Sequence, residues 1–229
     1  MKKVIDNKFF ILGYRVAAFI IITFGLLTTV GAFNGRVSFY MLFAYTIQSN
    51  ILVLIFFAVL IAKTAVGIAR RDEVQNKNYG FYPVVAFAIA VAIFITMLIF
   101  WSILVPLWGG KNLMTFSNLG VHLFCPLLMI IDRVLFYKLG AMTVFQPLSV
   151  LVFPYIYIIQ SFSLGLSRAF YFEPMGIQSY YIYPFLDFDA HGYWVLLYIF
   201  GLTVFFLGLC YAVYFAARRL TRNANASRK

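Results

Sequence analysis

Six long apolar runs, separated by short polar connections, occupy residues 9–33, 37–62, 81–108, 117–137, 146–166 and 191–217. Each exceeds the 18 or so residues that distinguish a membrane-spanning helix from a buried soluble one. Hydrocarbon offers no partner to backbone N–H and C=O groups, so a spanning segment must satisfy them internally. The runs lack the alternation of a barrel strand, which leaves the helix. The pattern predicts an all-α polytopic membrane protein: a single domain over residues 1–229, folded as a bundle of six transmembrane helices. The first run follows Lys2, Lys3 and Lys8 in the manner of a signal peptide. It is too long for that and lacks a small-residue cleavage site, so it is read as a retained helix. No internal repeat relates the two halves, which argues against a transporter of the inverted-repeat kind.

Composition sharpens this picture. Of 229 residues, 64% are hydrophobic and 11% charged, against about 45–50% and about 25% in soluble domains. No stretch is left for a soluble catalytic domain, so any chemistry must sit between helices. The net charge of +11 would suggest a nucleic-acid partner if it were spread over the chain. Loop by loop, 15 of the 18 Lys and Arg residues fall on the side of the N-terminus; the exceptions are Arg36, Lys111 and Arg168. Asp6, Asp72, Glu73 and Asp132 share that side, while Glu173, Asp187 and Asp189 lie opposite. One face then carries the whole excess and the other is neutral. By the positive-inside rule both termini are cytoplasmic, and no basic surface remains for nucleic acid. Trp101, Trp108 and Trp194 fall at outer helix ends with Tyr180, Tyr181 and Tyr183, where amphipathic rings prefer to lie. The outer loop 167–190 is aromatic enough to fold back over the bundle as a lid.

Two cysteines and two histidines are too few for a zinc or iron–sulfur cluster or a disulfide framework. No metal or cofactor is implied. A haem held by His122 and His191 would need matching depths, and His191 is too shallow. No lysine lies at a helix centre to carry retinal. Cys125 and Cys210 sit at different depths, which argues against a disulfide; Cys125 reads as a small apolar residue or as a thiol beside His122.

Polar residues inside the runs are the informative ones. In the second run Thr46, Ser49, Asn50 and Val53 share one helical face, and in the fourth Asn118, His122 and Cys125 do. From the outer helix ends, Thr46 is expected about 13 Å down, His122 about 8 Å and Gln160 about 9 Å, at 1.5 Å per residue. One outer-leaflet layer then holds all three. Thr46 also fits a structural role, bonded to its own i−4 carbonyl. Gln48, Asn50, Asn118 and Gln160 equally fit interhelical hydrogen bonding. His122 is a functional candidate by default, being ionisable within a span. Arg15 and Asp132, near the inner ends, read as an ion pair or as snorkelling groups.

A threonine hydroxyl becomes a nucleophile when a base lies within hydrogen-bond reach, and neutral His122 is such a base. Gln48, Asn50, Asn118 and Gln160 are the amides available to an oxyanion. Asn118 is placed to orient the ring, and Asp187 or Asp189 to reach in from the lid. A substrate entering sideways from the outer leaflet is an acyl lipid, which makes ester hydrolysis the natural reaction. The alternative is a non-catalytic protein that binds or transports a lipid or small molecule in the same pocket.

Three stretches occur in order: Thr46-Ile-Gln-Ser-Asn-Ile-Leu-Val53, Asn118-Leu-Gly-Val-His122 followed by Pro126 and Asp132, and Tyr183-Pro-Phe-Leu-Asp187. Together they resemble the bacterial Pr-six-Pr membrane proteins and the related androgen-induced-gene family of eukaryotes. The resemblance runs from the second helix to the sixth. It implies a bacterial plasma-membrane protein whose eukaryotic relatives are six-span threonine hydrolases of fatty acid esters of hydroxy fatty acids. By motif position their catalytic Thr and His fall on Thr46 and His122. The chain departs from the eukaryotic motif at Leu119 and Leu123, which replace a histidine and a hydroxyl residue.

Overall fold

A computed structural model of the chain describes residues 7–70, 80–107, 114–137, 142–173 and 176–226, the side chains of 103, 107 and 221–226 excepted. Among the residues that carried the charge and aromatic-belt readings, Lys2, Lys3, Asp6, Arg71, Asp72, Glu73, Lys77, Trp108, Lys111, Lys138, Arg228 and Lys229 lie outside the described residues.

Six helices are long and apolar enough to cross a bilayer. They are α1 (Lys8–Thr29), α2 (Tyr45–Ala69), α3 (Pro83–Ser102), α4 (Phe116–Phe136), α5 (Gln146–Leu166) and α6 (Trp194–Leu220). No strand occurs among the described residues. Their alternation gives the bundle two ends. One carries Lys8, Lys63, Arg70, Arg133 and Arg218, and is called the basic end here; the other carries Tyr45, Trp101, Tyr183 and Trp194, and is called the aromatic end.

Helices α1 to α4 form the main core, in which Ile22, Val53, Phe57, Leu60, Ile93 and Met129 are sealed. α1 packs mainly on α2 and α4, and α3 on α4, α2 and the first turns of α5. A Cβ placed on Gly120 would lie 2.8 Å from the Cα of Gly25, so α1 and α4 cross backbone to backbone, as small residues allow in membranes. α6 stands to the side, packed chiefly on Gln146–Leu151 and Pro184–Leu186. Cys125 belongs to the main core and Cys210 to a second one between α3, α5 and α6; both are free thiols.

The apolar runs and the helices differ at several ends, α2 running on to Ala69 beyond its run and α3 ending at Ser102 before its own. α1 stops at Thr29, and α2 begins at Tyr45 instead of residue 37. Gly31 (φ 81) and Gly35 (φ 66) take the left-handed conformation that reverses the chain. Phe39–Phe43 form a 3₁₀ turn, and Ala44 is extended (ψ 135). The apolar side chains of this segment divide: Tyr40 and Phe43 pack edge-on and tilted against Phe170 and Phe172 of the outer loop, whereas Val37, Phe39 and Leu42 are exposed. Thr46 therefore lies in the first turn of α2, and the 13 Å depth expected of it counts residues that are not helical. At the sixth run, Gly192 (φ 53) separates the short helix Phe188–His191 from α6.

The open reading of Arg15 and Asp132 resolves in favour of an ion pair. Arg15 Nε and Nη2 donate to the two carboxylate oxygens at 2.8 and 3.4 Å, and Nη1 to Thr64 Oγ1 at 2.8 Å. All three side chains are fully buried near the basic end.

Candidate functional site

Two breaks in helical regularity shape the aromatic half. In α3 and its continuation, Phe100–Leu104 form a π turn, and in α4 Gly120–Phe124 form another. Each lies six residues before a proline, Pro106 and Pro126. Proline has no N–H to give the carbonyl four residues back, so His122 O has no α-helical donor. Cys125 N–H bonds instead to Gly120 O, which frees Val121 O as well. Both freed carbonyls are taken by side chains from neighbouring helices. Trp101 Nε1 donates to His122 O at 3.1 Å, and Asn50 Nδ2 to Val121 O at 3.1 Å. Trp101 is thus an internal donor as well as an interfacial ring. Such turns recur at functional sites.

Asn50 Nδ2 also donates to Thr46 O at 2.8 Å, so one buried amide ties the first turn of α2 to the π turn that holds His122. Asn50 Oδ1 has no partner. The predicted shared face of α2 is real: Ser49, Asn50 and Val53 are buried and Thr46 half-buried. Ser49 Oγ lies 3.1 Å from Thr96 Oγ1 of α3, a contact that sequence spacing did not suggest.

His122 is 8% exposed. Its Nδ1 lies 3.2 Å from the backbone carbonyl of Asn118, so Asn118 orients the ring through its main chain, not its amide. The ring stacks on Phe100, with centroids 3.5 Å apart and planes 11° apart. No hydrogen bond joins His122 to Thr46. Asn50 links the Thr46 carbonyl to the π turn that carries His122, and Phe100, stacked on the His122 ring, lines the same cavity as Thr46.

Thr46 lies instead on the wall of a cavity with an empty volume of about 720 Å³, part of it open to the surroundings. Thr96, Phe100, Tyr183, Phe185, Leu202 and Phe206 are among its lining residues, and His122 is not. The wall is almost wholly apolar. Tyr155 of α5 and Thr203 of α6, hydrogen-bonded at 3.0 Å and exposed, form its lateral rim.

The lid folds back as its aromatic content suggested. Tyr181, Ile182 and Leu186 are buried. Gly165 admits the Tyr181 ring, which a Cβ would meet at 2.2 Å. Tyr183 packs on Tyr157 and Phe185 and brings its hydroxyl to the start of α2. There the Thr46 side chain and the backbone of Thr46 and Tyr45 are its hydrogen-bonding neighbours; burial raises its pKa above the ordinary phenol value despite them. α2 has no side-chain cap of its own, and the first N–H groups of a helix have no partner within it. Tyr183, from the lid, places its hydroxyl beside that first turn.

The remaining predicted residues divide. Gln48 Nε2 donates to Gln160 Oε1 at 2.9 Å and to Leu42 O at 3.0 Å, so this pair binds α2 to α5 away from the cavity wall. Asp187 caps the helix Phe188–His191 and accepts from Ser179 Oγ at 2.5 Å. Asp189 pairs with Arg168. Neither acid reaches His122, because each is held within the lid. Tyr183, expected only as part of the lid, is the residue that completes the polar end. Pro106 and Pro126 were the signals for the two π turns.

No family model, curated protein or solved structure matches this chain.

Proposed function

We propose that the protein takes an acyl lipid from the surrounding bilayer into the cavity, chain among Leu202, Phe206 and Phe185, ester at Thr46 and Tyr183. The observation that carries this reading is the pairing of a nearly unbroken apolar wall with a single polar end. That end joins a hydroxyl, a phenol and the N-terminus of a 25-residue helix. Ligand sites commonly take this form, an apolar wall with few polar groups that fix orientation. With the basic end cytoplasmic, the pocket faces the outer leaflet. A bulky side chain at Leu202 tests the reading. Leu202→Trp is expected to abolish the acyl lipid that native mass spectrometry finds on the purified protein. Lipid retained at wild-type level overturns it.

A second reading, hydrolysis of the bound ester, is favoured by Thr46 and the helix N-terminus occupying one spot. Thr46 Oγ would attack the acyl carbon while those N–H groups receive the oxyanion. The proton would pass to His122 and on to the departing alkoxide, and water would then release the acyl group from Thr46. This is the chemistry implied by the resemblance to the six-span threonine hydrolases, and it requires Phe100 to shift so that the imidazole reaches the cavity. A fluorophosphonate probe is expected to label wild type but neither Thr46→Ala nor His122→Ala. Labelling that survives both substitutions leaves binding alone.

A further inference from the structure

Arg133 sits one position after the ion-paired Asp132, at the basic end of α4, and its surroundings are unlike those of Arg15. It is 8% exposed, and its Nε and Nη1 have no hydrogen-bond partner among the described residues. Nη2 has only the Met142 sulfur, 4.0 Å away, a weak acceptor. The guanidinium lies 5.0 Å above the Tyr137 ring. Tyr137 is itself fixed, its hydroxyl donating to Phe81 O at 2.9 Å. Asp132 attracts Arg133, but both its oxygens are bonded to Arg15. The buried pair of guanidiniums therefore faces one carboxylate, and a full positive charge with unused N–H groups is held rigidly against an aromatic face. An arginine stays ionised here, and a buried ion without hydrogen bonds is costly unless something pairs with it. Lys63 Nζ, on α2 at the same end of the bundle, sits 5.8 Å from the ring of Tyr82, the residue after Phe81.

We propose that Arg133 is the anchor of an anion site for a phosphate group, supplied by the headgroup of an anionic phospholipid in the leaflet at the basic end. A planar guanidinium offers two-donor edges that match phosphate oxygens, which a lysine ammonium does not. Displacing the thioether of Met142 opens such an edge. Lys63 adds charge at the rim. Membrane proteins use basic pockets between helices for headgroups in this way.

The test uses the full chain in nanodiscs of phosphatidylcholine with or without phosphatidylglycerol. Lipid that survives a neutral-detergent wash is counted by native mass spectrometry. Wild type is expected to retain phosphatidylglycerol over phosphatidylcholine by about five-fold, the worth of one well-placed basic residue. The preference disappears in Arg133→Gln, survives in the exposed control Arg70→Gln, and is intermediate in Arg133→Lys, which keeps the charge without the planar edge. Stabilisation by inorganic phosphate, lost in Arg133→Gln and without lipid preference, supports the site with free phosphate as its occupant. Equal retention by wild type, Arg133→Gln and Arg133→Lys overturns the proposal. So does a preference lost equally in Arg70→Gln, which marks general surface charge. An unfolding midpoint that falls with Arg133→Gln and with Asp72→Asn or Glu73→Gln, non-additively and whatever the lipid, identifies an internal carboxylate as the partner and also overturns it.

Discussion

Near the basic end, Arg15, Asp132 and Thr64 hydrogen-bond to one another and are sealed from every side. Near the aromatic end, Asn50 and His122 are buried and Thr46 half-buried, but Asn50 and His122 bond to backbone carbonyls, and Asn50 Oδ1 has no partner among the described residues. The first group is closed: nothing can enter without breaking it. The second meets a cavity at Thr46, while Asn50 and His122 are not among the lining residues. Polar groups within a membrane bundle thus divide by whether their bonds are complete, more than by residue type, and the incomplete set lies where we propose that a ligand binds.

The comparison can be broken most forcefully at the closed layer. Asp132→Ala removes the carboxylate that pairs with buried Arg15, so a loss of about 3–5 kcal/mol is expected in unfolding measurements in detergent. A double change of Arg15 and Asp132 to apolar residues of similar volume should recover much of it. A single variant with wild-type stability would show the layer to be dispensable. Gly120→Val comes next. Its side chain would drive α1 from α4 at Gly25, at a cost of about 1–3 kcal/mol, and it should also disturb the π turn that carries His122.

Tyr183→Phe sharpens the contrast from the other side. Removing the hydroxyl from the start of α2 is expected to cost about 1 kcal/mol, in the range of a lost helix cap, and to weaken acyl-lipid retention. Alkaline titration gives the same residue a separate signature. Its pKa is raised in the folded protein, so above about pH 10 the unfolded chain releases a phenolic proton that the folded chain retains. Stability is therefore full below that pH and declines as pH rises beyond it, and the decline should be shallower in Tyr183→Phe. Gln160→Leu is the mildest case, breaking one interhelical bond worth about 0.6 kcal/mol and leaving the cavity wall unchanged.

Helix number and order were readable because lipid imposes a length and an apolar composition that no other structure meets. The shared face of Ser49, Asn50 and Val53 was readable from helical geometry alone. Depth was not, because it counted residues from the start of an apolar run. Lipid-facing helix and lid-covered turn demand the same apolar side chains, so residues 37–44 look helical in sequence and are not. Nor could spacing reveal the ring of Phe100 over His122, since a contact between helices depends on their rotation about their own axes.

What the chain determines by itself is a count and a direction: six apolar spans, and basic residues gathered at one end, because transfer into hydrocarbon is a sum over local residues. Tertiary structure alone decided the partners. Tyr183 crosses from the lid to the first turn of α2, Asn50 serves a carbonyl freed by the π turn of α4, and Arg15 rather than Arg133 holds Asp132. Such bonds are settled only when the helices pack, because each polar group takes the nearest unsatisfied atom its neighbours present.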